Sequence, residues 1–196
     1  QINVSSIDAS YLLEPQIGYV KIRRFGLKTA DEFKTSITEL KKQGASNLIL
    51  DLRDNGGGYF HIAIKIASEF FADKKLLVYT QGAHETKREY FSDGNGNFAS
   101  GKLVVLVNES SASASEIVAG ALQDWDRATV VGRRSYGKGI VQEQFDFLDG
   151  SRINLSISRY YTPLGRSIQR KYTANWSNMV DYVTMYRGLW ALDTTY

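Results

Sequence analysis

Between Asn108 and Ile117 the chain reads Asn-Glu-Ser-Ser-Ala-Ser-Ala-Ser-Glu-Ile, a string of small residues joining an apolar run, Leu103–Val107, to a segment with Ile117, Ala121 and Leu122 at helical spacing. A serine held where a strand turns into a helix has an exposed hydroxyl, and the N–H groups and dipole of the new helix face any negative charge formed there. Serine attacks a carbonyl only when a base takes its proton, and acyl transfer also needs donors for the developing oxyanion. On local pattern alone the run is a Ser-rich helix N-cap, so the base decides the matter.

The sequence has no cysteine, which excludes disulfides, thiolate catalysis and cysteine-ligated zinc, and it has only two histidines. The base must therefore be His61, His84 or a lysine. Tyr136-Gly-Lys-Gly139 sets Lys138 between two glycines, whose flexible backbone permits close approach to another segment. Burial there would favour the neutral amine, the only form that accepts a serine proton. Left in solvent, Lys138 is an ordinary surface charge. His61 stands at a helix start beside the loop Arg53 to Gly58, where an arrangement of a serine of the run, His61 and an acid is physically conceivable; His84 lies in a polar stretch. Gly56 to Gly58 read as a strand-to-helix connection, and no Gly-Lys-Ser/Thr follows to make them a phosphate cradle.

The elements around these residues follow from periodicity. Gly18 to Phe25 alternates as a strand, Thr29-Ala-Asp-Glu32 has the form of a capping box, and Phe33, Ile37 and Leu40 share one helical face that Gly44 ends. Asn47 to Leu52 is a nearly unbroken apolar strand, completing a β–α–β unit. A second unit takes loop 53–58, a helix from about Tyr59 to Asp73 with Ala63, Ile66, Ala67 and Phe70 inward, and strand Leu76 to Thr80. Thr86 to Ala99 is a hairpin or surface excursion around Asp93-Gly-Asn-Gly96. A third unit runs from Leu103–Val107 through the serine run and its helix to strand Ala128 to Val131. Strands Ile140 to Phe147 and Arg152 to Arg159 meet at Asp149-Gly150. Met179, Tyr182, Val183, Tyr186 and Trp190 recur at helical spacing, which predicts a C-terminal helix packed back on the domain. The order predicts an α/β fold in one domain, with a largely parallel sheet and an antiparallel addition.

Composition agrees. The 196 residues are 43% hydrophobic and 23% charged, as in a globular domain. The formal charge of +3 comes from 24 basic and 21 acidic residues, with no run of like charge that would mark a nucleic-acid partner. No apolar stretch reaches the roughly 18 residues of a membrane span.

Four segments carry a family resemblance: Leu50 to Gly58 (LDLRDNGGG), Asn108 to Arg127 (NESSASASEIVAGALQDWDR), Val131 to Gln142 (VGRRSYGKGIVQ) and Tyr161 to Gln169 (YTPLGRSIQ). In order and spacing they resemble the signature segments of the C-terminal processing, or tail-specific, serine peptidases of the S41 type. The resemblance implies a spiral α/β core like that of the ClpP and crotonase folds and a serine endopeptidase acting on extended or C-terminal tail segments. It implies Ser113 as nucleophile, Lys138 as base and Gln142 as the residue that orients the lysine; even spacing would put Lys138 and Gln142 on one strand face. It assigns the oxyanion donors to the N–H of Ala114 and to one of Gly57 or Gly58, and makes Asp124 and Arg127 supports of the site. Gly56 departs from the proline or serine common in relatives. No metal or organic cofactor is implied.

The implied partner is a polypeptide bound as an added strand, with an oligomer left open, and the implied location is a bacterial periplasm or envelope. Relatives carry a PDZ domain ahead of this core; the expectation is that it lies upstream of Gln1. Residues 172–196 match no pattern of the family, and their role is left open. Binding proteins share this fold, so a non-catalytic ligand- or protein-binding domain is the rival reading.

Overall fold

The computed structural model describes residues 4–171, so the predicted helix within 172–196 lies outside the described residues. The chain opens with two antiparallel strands, β1 (Ile7–Glu14) and β2 (Ile17–Ile22), then α1 (Thr29–Lys42) and β3 (Asn47–Asp51). Next come α2 (Phe60–Ser68), β4 (Leu76–Gln81), β5 (Arg88–Phe91), β6 (Leu103–Val107), α3 (Ala114–Asp124) and β7 (Thr129–Gly132). A long hairpin of β8 (Ile140–Asp146) and β9 (Arg152–Tyr161) follows.

Two sheets result. The first has order β1-β2-β3-β6-β7, with β2, β3, β6 and β7 parallel, and the second has order β5-β4-β9-β8, all antiparallel. This is the mixed α/β architecture that the alternation of elements predicts, with one difference in topology. The strand after α2 does not return to the parallel sheet; β4 leaves it to pair with β5 and β9, and β3 pairs with β6 instead. The apolar run Leu76–Val78 would satisfy either sheet, so the local pattern could not choose between them.

The core lies between the parallel sheet and the helices. Val20, Ile22, Leu48, Leu50 and Val105 of the strands meet Phe33, Ile37 and Leu40 of α1, Ile62, Ala63 and Ile66 of α2, and Ile117, Val118 and Leu122 of α3, all 2% exposed or less. Burial of each such side chain stabilises by about 1.5–3 kcal/mol. Gly44, at φ 102°, stops α1 as expected. The capping box expected at Thr29 does not form: the Thr29 hydroxyl takes the Gly26 N–H at 2.8 Å and donates to Arg24, while Glu32 accepts the Ser6 N–H at 2.8 Å. Glu32 thus serves the strand lead-in rather than its own helix. The N-terminus of α2 is tied to the antiparallel sheet by Phe60, which stacks on Tyr160 of β9 at 5.2 Å and meets Tyr90 of β5 edge-on at 4.7 Å.

Candidate active site

Ser113 is the N-cap of α3, at φ 54° and ψ −110°, a backbone region that side chains beyond glycine rarely enter. Its neighbours hold it there. The fully buried hydroxyls of Ser111 and Ser115 donate to the carbonyls of Leu52 (2.8 Å) and Asn55 (2.9 Å), pinning the turn to the loop after β3. The alternation of the serine run therefore divides the labour: Ser111 and Ser115 point into the protein, and Ser113 between them is half-buried at the surface.

The facing loop is organised by Asn55, which is fully buried. Its amide donates to the Ile22 carbonyl at 2.8 Å, its side-chain oxygen accepts the Gly57 N–H at 2.9 Å, and its carbonyl accepts the Ala112 N–H at 3.0 Å. Gly57 lies against the serine: a Cβ added there would stand 2.7 Å from the Ala112 carbonyl oxygen and 2.9 Å from Ser113 Cβ. Gly58 backs onto Phe25, with the Tyr59 N–H donating to the Phe25 carbonyl at 2.8 Å. The two loop glycines thus divide in role, since the Gly57 N–H is occupied by Asn55 while that of Gly58 has no acceptor among the described residues. The Ala114 N–H is likewise unspent.

The loop begins on a second buried polar group. Asp51 is fully buried and accepts from the Tyr19 hydroxyl (2.6 Å), the Arg53 N–H (2.9 Å) and the Arg53 guanidinium (2.6 Å at closest). Burial pushes the Asp51 carboxyl up, but the bonds from Arg53 and Tyr19 outweigh it and hold it below the ordinary 3.8. Burial, and then the bond to Asp51, pushes the Tyr19 hydroxyl up to about 12.

Lys138 is brought to the site by its backbone and not by its side chain. Glu116 Oε2 accepts the N–H of Ser113 at 2.8 Å and that of Lys138 at 2.9 Å, while Oε1 accepts the Ser135 hydroxyl at 2.7 Å and the Gly137 N–H at 2.6 Å. Burial raises the Glu116 carboxyl above its usual value, against the downward pull of these four donors. The Lys138 side chain is exposed, and its ammonium makes no hydrogen bond or ion pair among the described residues. The burial that would favour the neutral amine is therefore absent in this arrangement.

Gln142 is also exposed and makes no hydrogen bond to Lys138. The expectation that the two share a strand face is not met, because Lys138 precedes β8, which begins at Ile140; the irregularity beside Gln142 lies on the partner strand, where Ile157 is the extra residue.

Asp124 and Arg127 are structural ties away from Ser113. Asp124 pairs with Arg166 and accepts the Leu164 N–H at 2.8 Å, fixing the 162–166 turn to α3. Arg127 donates to the carbonyls of Phe70 (3.0 Å), Phe98 (2.6 Å), Ser100 (3.3 Å) and Gly101 (3.0 Å). His61 is exposed with its ring against Tyr59, and His84 is exposed. Sequence reasoning missed Asn55 and Glu116, although Asn55-Gly-Gly57 has the form of an Asx turn and Ser113-Ala-Ser-Glu116 that of a capping box.

The chain has known relatives. The model of Peptidase family S41 matches residues 16–175. The chloroplastic C-terminal processing peptidase of Tetradesmus obliquus is 40% identical over 155 residues, covering 79% of this chain and 33% of that protein. The carboxyl-terminal-processing protease of Picosynechococcus is 39% identical over 155 residues, covering 79% of this chain and 37% of that protein. Among solved structures, the photosystem II D1 C-terminal processing protease aligns with a TM-score of 0.75 at 38% identity, over 84% of this chain and 44% of that one. The chain spans about a third of the length of the curated relatives it matches.

Proposed function

The chain belongs to peptidase family S41, and from that premise we propose that it is the catalytic core of a serine endopeptidase that cuts extended or C-terminal tail segments of proteins. Ser113 is the nucleophile, Lys138 the general base, and the N–H groups of Ala114 and Gly58 receive the oxyanion. The observation that carries this reading is the elbow at Ser113: a positive-φ serine at a helix N-terminus, packed on Gly57, with the N–H groups of Ala114 and Gly58 lacking an acceptor among the described residues.

The chemistry follows in two steps. The neutral Lys138 amine takes the Ser113 proton as Oγ attacks the scissile carbonyl, and the ammonium returns it to the leaving amine. Water, activated by the same amine, then hydrolyses the acyl-enzyme. In the resting arrangement the lysine side chain stands in solvent, so the cycle begins with its rotation toward Ser113; the two backbones already share Glu116 Oε2. Gln142 would orient the amine only after that turn. The substrate binds as an added strand, whose main chain supplies affinity for varied sequences. The reading places the protein in a bacterial periplasm or envelope, or in a compartment equivalent to that of its chloroplastic relatives. No helix among the described residues is long and apolar enough to cross a membrane.

The rival reading, a ligand- or protein-binding domain on the same fold, draws on the solvent-exposed Lys138 and the unengaged Gln142. The test is cleavage of an unstructured protein by wild type, Ser113→Ala and Lys138→Ala from pH 6 to 10. Cleavage that rises with pH and vanishes in both variants supports the Ser–Lys peptidase. Cleavage surviving Ser113→Ala, or none by the wild type, transfers the reading to binding.

A further inference from the structure

Glu116 carries a buried carboxylate with no cationic partner among the described residues. Such a group persists only where donors meet both oxygens, and here four do, two on each. They come from two segments distant in sequence, the N-terminus of α3 and the loop 135–138. Because the Ser113 and Lys138 nitrogens bond to the same oxygen, their separation cannot exceed the two bonds laid end to end. Main-chain bonds also tie this stretch to Ser111, Tyr160 and Arg170, and the Gln169 side chain accepts the Gly139 N–H; the bonds through Glu116 are ones that run to Ser113 itself. With glycine on both sides of Lys138, the loop has little rigidity of its own.

We propose that Glu116 is a positioning residue, whose carboxylate holds the Lys138 backbone against that of Ser113 so that turning the lysine side chain alone delivers its amine to the serine. This rests on the Ser–Lys reading above and adds to it the group that sets the spacing. The same oxygen holds the Ser113 N–H and with it the positive φ of the nucleophile.

The deciding variant is Glu116→Gln, which keeps the shape but turns one acceptor oxygen into an NH2. Two of the four donors then face a donor, whichever way the amide lies. Two readouts are taken on the chain: steady-state cleavage of an unstructured protein, and native-state amide exchange at Ser113, Gly137 and Lys138 by NMR. Expected are an unchanged global fold by circular dichroism, a kcat lower by about 100-fold with KM within about 3-fold, and at least about tenfold faster exchange either at the Ser113 and Lys138 amides or at the Gly137 amide. Glu109→Gln, a surface carboxylate on the same turn, leaves both readouts at wild-type values. Wild-type kcat in Glu116→Gln, or unchanged protection at all three amides, overturns the proposal.

Should Glu116→Gln fail to fold, Glu116→Asp keeps the charge one methylene short and is expected to lower kcat about tenfold; wild-type kcat and protection there overturn it equally. Cleavage that survives Ser113→Ala sinks the underlying Ser–Lys reading and the proposal with it. Cleavage lost in Ser113→Ala and Lys138→Ala but intact in Glu116→Gln sinks the positioning role alone.

Discussion

Adding one methyl group at Gly57 probes how tightly the glycine loop and the Ser113 turn are fitted together. Gly57 has φ +98°, where an L-residue costs about 1–2 kcal/mol. Its new Cβ would lie 2.7 Å from the Ala112 carbonyl oxygen, 2.9 Å from Ser113 Cβ and 3.0 Å from the Ala114 nitrogen. None of these atoms can rotate aside. Relief requires the whole turn to withdraw by roughly half an ångström, at the 1–3 kcal/mol typical of overpacking. The sum, about 2–5 kcal/mol, lowers the Tm of a domain this size by roughly 5–15 °C.

The catalytic effect of Gly57→Ala is expected to be larger than its stability effect, because the displaced atoms include the proposed nucleophile; kcat is expected to fall about 100-fold. Gly56→Ala is the matched control, since a Cβ there meets nothing within 4 Å and the residue has no positive φ. Its Tm is expected within about 2 °C of wild type, with a small gain available from reduced chain entropy in the unfolded state. Differential scanning calorimetry and cleavage kinetics on the three proteins decide the matter. Wild-type Tm and kcat in Gly57→Ala, or equal damage from Gly56→Ala, would refute the packing argument.

Two further outcomes follow from the buried polar groups. Tyr19 has a folded-state pKa of about 12 against an ordinary 10.0, so its contribution is fully present below pH 10 and is lost as pH rises toward 12. Denaturant titrations should show wild type losing about 1–2 kcal/mol across that window, discounted from a ceiling near 2.7 for partial solvent contact, while Tyr19→Phe shows a flatter slope; parallel slopes contradict the assignment. Arg127→Met strips the donor from four carbonyls of the loops around Phe98 to Gly101 and the end of α2. It is expected to cost about 2–4 kcal/mol in thermal or urea unfolding and to leave kcat unchanged at 25 °C; a specific loss of kcat without loss of stability would place Arg127 in the site after all.

What the sequence disclosed, and what it withheld, divides along physical lines. Phe33, Ile37 and Leu40, or Leu48 and Leu50, face the core because periodicity alone sets which face of an element is apolar. β1 escaped notice because Ile7–Glu14 lacks clean alternation and pairs with β2 through two register shifts. The sheet that β4 joins depends on β9, some eighty residues later, and no local pattern records it. In the candidate site the turn at Ser113 and the glycine loop were legible, since small residues and glycines mark where backbone must approach backbone. The roles of Asn55 and Glu116 were not, because a short polar motif names its local bonds but not the distant carbonyls and N–H groups that its remaining valences will meet. The exposure of Lys138 and the start of β8 only at Ile140 are likewise properties of the packed chain.

The backbone of Ser113 sets folding and chemistry against each other at one position. Its φ of 54° and ψ of −110° carry a strain of about 1–3 kcal/mol that the buried bonds of Ser111, Ser115 and Glu116 must outweigh. Alanine at 113 would remove the hydroxyl and keep the strain, whereas glycine would remove both and, with Ser113 as the proposed nucleophile, leave a less strained, inert protein. For a lineage on this fold that no longer needed the reaction, drift toward glycine or toward a relaxed turn would raise stability from the first step. On the proposed reading, a serine at 113 in this geometry sets the chemistry of the chain against the preference of its own backbone.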